Sequence, residues 1–140
     1  MKQIGTADLT NFAGDGAFKD NLISQLTFEE DSSLTEIGND AFSSNQISGS
    51  LEFPEGLIKI GSSAFYKNKI SNLMIPSTIT LIGGFAFNEQ RGDTNGECLL
   101  QSVFVNMLKE DFDAKVSRGT YPFENSTCGY KITYYETNAE

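Results

Sequence analysis

Histidine is absent from this 140-residue chain, cysteine occurs only twice, and basic residues are outnumbered by acidic ones, 10 against 19. Without histidine there is no Ser-His-acid or Cys-His arrangement, and the commonest metal ligand and near-neutral general base are missing. Two cysteines do not by themselves make a four-ligand zinc site. No Gly-x-x-x-x-Gly-Lys-Ser/Thr loop or dinucleotide fingerprint is present, so no phosphate or nucleotide cofactor is indicated. The run Glu29-Glu30-Asp31 beside Ser32 and Ser33 reads as solvated turn charge rather than a catalytic carboxylate pair. We therefore expect no enzyme, and assign no catalytic, metal-binding or cofactor-binding residue.

The formal charge of −9 offers a phosphate backbone repulsion instead of a basic footprint, which excludes nucleic acid as the main partner. It also disfavours anionic lipid surfaces. No apolar run approaches membrane-spanning length, so no membrane insertion is expected. The first residues, Met1-Lys2-Gln3-Ile4-Gly5, lack the apolar core of a signal peptide, a weak indication of a cytosolic location on its own. Hydrophobic residues at 39% and charged residues at 21% suit one globular unit with a modest core.

What the chain does have is repetition. Gly14-Asp15-Gly16-Ala17-Phe18 returns as Gly38-Asn39-Asp40-Ala41-Phe42, as Gly61-Ser62-Ser63-Ala64-Phe65 and as Gly83-Gly84-Phe85-Ala86-Phe87. The phenylalanines are spaced by 24, 23 and 22 residues. A period of that size marks a solenoid, whose units bury their apolar faces only against one another. Asparagine follows three residues after the phenylalanine (Asn21, Asn45, Asn68), then isoleucine (Ile23, Ile47, Ile70). The alternating segments Leu26-Thr27-Phe28, Leu51-Glu52-Phe53 and Leu73-Met74-Ile75 read as short strands, the last two stopped by Pro54 and Pro76. The Gly-x-x-Ala-Phe stretches are too short for an ordinary helix and read as single helical or 3₁₀ turns on the opposite side. Their glycines serve either close backbone approach or positive φ. The phenylalanines should pile into an internal column, and the asparagines should satisfy turn backbone within the coil.

The combination resembles the BspA-type leucine-rich repeats of bacterial surface proteins, which read approximately Ile-Gly-x-x-Ala-Phe, Asn or Cys, then Leu-x-x-Leu-x-Ile-Pro. Residues 14–87 carry the likeness, with Ala13 in an isoleucine place, Gln90 in an asparagine place and one extra residue at Gly49 or Ser50. The resemblance implies a right-handed leucine-rich repeat solenoid with a parallel β-sheet on its concave face. It also implies a secreted or cell-surface setting and a role in adhesion or binding of a host ligand.

Residues 1–140 read as a single domain of about six rungs. Regular repeats span 13–87, a polar insertion 88–97 and an irregular capping region 98–135, with a polar tail at 136–140. In the cap we expect a strand at 100–105 and a helix at 106–116 with Asn106 as its cap. Gly119-Thr120-Tyr121-Pro122-Phe123 is a fifth motif copy, and a closing strand follows at 130–134. Cys98 and Cys128 each lie two residues before a strand, so adjacent rungs would bring them within disulfide reach. Two free, buried thiols are the competing arrangement.

The candidate site is the outward face of the strands: Gln25 and Thr27, Ser50 and Glu52, Asn72 and Met74, Ser102 and Phe104. Stacked about 4.8 Å apart, they form a strip. Met74 and Phe104 are its informative members, because exposed methionines and aromatics concentrate at interface centres. Cover by flanking loops or the C-terminal helix is the alternative. A protein or peptide partner is expected, including a host extracellular protein, with glycan second because Phe104 is the strip's single aromatic. A spacer module with no ligand of its own is the other functional reading. Arg91-Gly92-Asp93, in the polar insertion, resembles the integrin-recognition tripeptide and is a second candidate, against the plainer reading of Gly-Asp as turn composition.

Overall fold

A computed structural model describes residues 12–29, 31–124 and 128–136; Glu30 and most of the 136–140 tail lie outside the described residues. The strands run in chain order as β1 (Phe12–Ala13), β2 (Glu36–Ile37), β3 (Ser48–Glu52), β4 (Lys59–Ile60), β5 (Lys69–Ile75), β6 (Leu81–Ile82) and β7 (Ser102–Val105). Helix α1 (Lys109–Lys115), β8 (Ser117–Arg118) and β9 (Lys131–Tyr134) follow. Every strand pair is parallel: β3-β5-β7-β9 form one sheet and β1-β2-β4-β6-β8 a second. Each turn of the coil thus contributes a strand to both sheets. A leucine-rich-repeat, solenoid-like β architecture results.

The second sheet, unexpected from the sequence, lies just before each Gly-x-x-Ala-Phe motif, and the motif itself is a hydrogen-bonded turn on that side of the coil, not a continuing helical segment. Each motif enters from a two-residue strand and bends through a turn, as in Ala64 N–H to Gly61 C=O at 3.3 Å. It cannot wind on, because the residue two before the phenylalanine is left-handed: Asp40, Ser63, Phe85 and Tyr121 have φ of 59°, 57°, 59° and 44°. The residue two after is left-handed as well, at Asp20, Ser44, Lys67 and Glu89. Turn backbone then pairs with the next rung, Phe42 N–H to Ala64 C=O and Phe65 N–H to Ala86 C=O, both 2.7 Å. The motif glycine serves close approach rather than positive φ. A Cβ on Gly61 would lie 2.6 Å from the Asn39 backbone nitrogen.

The phenylalanine column forms as expected. Phe18, Phe42, Phe65 and Phe87 stack at 5.0, 5.2 and 5.2 Å, and Phe123 extends the stack at 6.1 Å, confirming the fifth motif copy. Phe53 packs edge-on against Phe65 and Phe87. Ile37, Leu51, Ile60, Leu73, Ile75 and Ile82 complete a continuous core.

Beside it runs an amide column. Asn68 accepts from Ile47 N–H at 3.0 Å and donates to the Phe42 and Phe65 carbonyls at 2.9 and 3.0 Å. Asn45 does the same one rung earlier. Gln90, which breaks the sequence pattern, repeats all three bonds to Ile70 N–H and the Phe65 and Phe87 carbonyls. Asn21 is exposed and bonds only to its own turn.

Three boundaries differ from expectation. The Leu26–Phe28 strand shrinks to one bridge at Leu26. The neighbouring β3 shifts register at Gly49/Ser50, where Gly49 takes φ 80° and accommodates the extra residue. The helix starts at Lys109, not 106: Asn106 N–H still bonds the Ile75 carbonyl at 2.9 Å, so the chain stays in the ladder there. Leu108, extended, occupies the N-cap position. The polar insertion is also shorter, since Asn88 and Gln90 are buried in their rung and an Arg91–Cys98 bridge closes the excursion to 92–97. Cys98 and Cys128 are disulfide-bonded, with Cα atoms 5.6 Å apart.

Candidate functional site

Period-two alternation turns Leu51, Phe53, Leu73, Ile75, Val103 and Val105 inward and the residues between them outward. Parallel register then sets the outward residues in two rows. Ser50, Asn72, Ser102 and Lys131 lie opposite one another in sequence, as do Glu52, Met74, Phe104 and Thr133. Asn72 Nδ2 donates to Ser50 Oγ at 3.3 Å, and Ser102 Oγ donates to Asn72 Oδ1 at 2.5 Å. That bonding stiffens the first row. In the second, Met74 is 41% exposed and Phe104 half-buried, with neither withdrawn into the core. Gln25 and Thr27 flank Leu26 at the sheet's first edge, both exposed.

Glu52 stands between two shallow recesses. One, of about 260 Å³, reaches toward Thr27, Phe28 and Glu29. The other, of about 170 Å³, is floored by Met74, Phe104 and Phe53 and edged by Glu52, Glu55 and Asn106. Glu55 is fixed there: Ser77 Oγ–H donates to Oε1 at 2.7 Å, while Ser77 N–H and Asn106 Nδ2 donate to Oε2 at 3.2 and 3.3 Å. Burial alone pushes this carboxyl up, but the Ser77 and Asn106 bonds together outweigh it and hold the pKa below its ordinary value. Glu52 has no hydrogen-bond or ion-pair partner among the described residues.

Arg91, Gly92 and Asp93 do not present a free charged pair. Arg91 Nη2 lies 3.5 Å from Glu124, whose side chain is fully buried, and Nη1 donates to Cys98 Sγ at 2.7 Å. Glu124 Oε1 makes no hydrogen bond, so Arg91 is its charge partner. The other Glu124 oxygen accepts from Gln90 N–H at 2.8 Å, which ends the amide column. Asp93 is held by Lys69 Nζ at 2.7 Å. Asp93 remains exposed, whereas Arg91 is turned into the cap.

Sequence reasoning missed Glu55, Asn106, Lys131 and Thr133. Lys131 and Thr133 carry a signal in hindsight, being outward positions of an alternating strand. Glu55 and Asn106 have none, since they meet across 51 residues with the 92–97 excursion between them, and Asn106 stands where the earlier rungs carry proline. Also missed was a second exposed pair at the turn edge, Phe85 and Tyr121, with rings 6.3 Å apart. No group of three or more potential ligands for a metal ion occurs among the described residues.

The family model for the BspA-type leucine-rich repeat region matches residues 11–107 in six copies. The chain belongs to the BspA-type leucine-rich repeat family. Neither curated proteins nor solved structures give a match. The BspA-type family is associated with bacterial surface and secreted proteins and its repeats are non-catalytic scaffolds; this chain is a non-catalytic repeat module. The coil continues beyond the matched BspA-type region, because β9 still pairs in register with β7.

Proposed function

We propose that the chain is a recognition module of a secreted or cell-surface bacterial protein, and that it binds a protein or peptide partner along the four-stranded sheet. In this reading the coil winds right-handed and the sheet is its concave face. The observation that carries the proposal is the Met74–Phe104 cross-strand pair, outward on adjacent strands and flanked by an ordered polar row. A face that served only as a spacer has no need of apolar side chains there, since they favour association over solubility. The polar Ser50–Asn72–Ser102 row gives such an interface the hydrogen-bonding margin that protein interfaces carry around an apolar centre.

The test compares the parent with a Met74→Ala/Phe104→Ala variant in binding to peptides selected on the parent chain. Folding is checked by thermal melting. We expect the variant to bind at least about tenfold more weakly, as loss of a central apolar anchor does. Undiminished binding by the folded variant would move the interface elsewhere.

A further inference from the structure

The proposed face has a charge pattern that specifies its partner more narrowly. Several surface carboxylates are matched by the chain's own cations, Glu36 with Lys59, Asp93 with Lys69, Asp111 with Lys115 and Asp113 with Lys109, while others such as Glu110 carry no ion pair among the described residues. Along the sheet face no lysine or arginine among the described residues pairs with Glu29, Glu52 or Glu55. Two of these carboxylates edge the same recess, whose floor is the thioether of Met74 and the ring of Phe104. Glu55 is already oriented by Ser77 and Asn106, so its carboxylate is placed before any ligand arrives.

We propose that this recess takes a lysine or arginine side chain of the partner polypeptide. The methylene stem lies over Met74 and Phe104, and the cationic head reaches Glu52 and Glu55. Long basic side chains have this divided character, an apolar stem with a charged end, and a cation near an aromatic face gains further attraction. A neutral or acidic side chain leaves both carboxylates unmatched. The basic residue acts as an anchor within a longer contact along the sheet. This inference rests on the proposed recognition face and assigns the chemistry of its ligand.

The experiment uses the full chain and a displayed library of random twelve-residue peptides. Peptides are selected on the parent and counter-selected on Met74→Ala/Phe104→Ala. The survivors are then measured against Glu52→Gln, Glu52→Gln/Glu55→Gln and a charge control, Glu110→Gln/Glu136→Gln. Glu52 is exposed and unpartnered, so the single variant keeps the fold even if loss of the Glu55 charge loosens Ser77. We expect survivors enriched in lysine or arginine, with affinity reduced by about tenfold in the double variant, measurably in Glu52→Gln, and hardly in the control. Added salt should weaken the parent complex and leave the double variant less affected. Survivors without basic residues, or insensitive to Glu52→Gln and the double variant, overturn the cation site while leaving the recognition face standing. Equal losses in the control reduce the effect to net charge and also overturn it. No survivors at all overturn both readings.

Discussion

Replacing Asn68 with leucine removes the central amide of the column at nearly constant volume. Three bonds vanish, but their consequences differ. The Ile47 N–H loses its acceptor and becomes a buried orphan donor, at about 1–3 kcal/mol. The Phe42 carbonyl keeps the Asn45 amide and the Phe65 carbonyl keeps the Gln90 amide, so each loses only a second bond, about 0.5–1 kcal/mol apiece. The sum is about 2–5 kcal/mol, a large share of the about 5–15 kcal/mol that holds a domain folded. Asn68→Asp goes further near neutrality, because a buried carboxylate oxygen then faces the Phe42 and Phe65 carbonyl oxygens. The folded state raises that carboxyl's pKa above its unfolded value, so it binds protons more tightly than the unfolded chain. Stability of Asn68→Asp must then rise as pH falls from 7 toward the carboxylate range, whereas Asn68→Leu shows no such gain. Urea unfolding followed by far-ultraviolet circular dichroism, with the disulfide intact, reads both effects. Asn21→Leu is the control, since Asn21 is exposed and should lose about 0.5 kcal/mol or less. A loss below about 1 kcal/mol at Asn68, or an equal loss at Asn21, would refute the assignment of the column as the coil's internal hydrogen-bonding spine.

Phe65→Ala takes a fully buried ring from between two stacked neighbours and should cost about 3–5 kcal/mol in the same urea assay, with a cost under about 1.5 kcal/mol contradicting the column. The Cys98–Cys128 bridge spans 30 residues, so Cys98→Ser/Cys128→Ser should lower stability by about 3–4 kcal/mol on the loop-closure model. Intact mass after alkylation of the unreduced, unfolded protein checks the bond itself, two added groups excluding it. Glu55, held below its ordinary pKa, contributes stability above the unfolded value that disappears as pH falls through the lower folded one. Glu55→Gln should flatten the acid limb of a stability–pH profile, and an unchanged limb would show that Ser77 and Asn106 do not hold it.

Features repeated in phase were legible before any coordinates. The Phe18-to-Phe87 stack, the inward leucines and the outward row of Glu52, Met74 and Phe104 follow from a fixed period combined with alternation. The disulfide followed from placing Cys98 and Cys128 on equivalent corners. The second sheet was not legible, because strands of two residues such as Lys59–Ile60 are too short to alternate. Nor were the left-handed corners, which carry Asp40, Ser63, Phe85 and Tyr121 instead of a glycine signature. Backbone pairing with the adjacent rung supplies the stabilisation there. Gln90 looked like a fault in the pattern, yet its amide reaches the same carbonyls as asparagine. The recess edge depends on Glu55 meeting Asn106, which takes the place of Pro54 and Pro76 two rungs on, a substitution masked by the intervening insertion.

A hydrogen–deuterium exchange footprint of a selected peptide tests most directly whether recognition runs along the four-stranded sheet. Protection is predicted across 50–55, 72–76 and 102–106, with the turn edge at 84–86 and 119–121 unchanged. Protection confined to that turn edge, around the exposed rings of Phe85 and Tyr121, would contradict it.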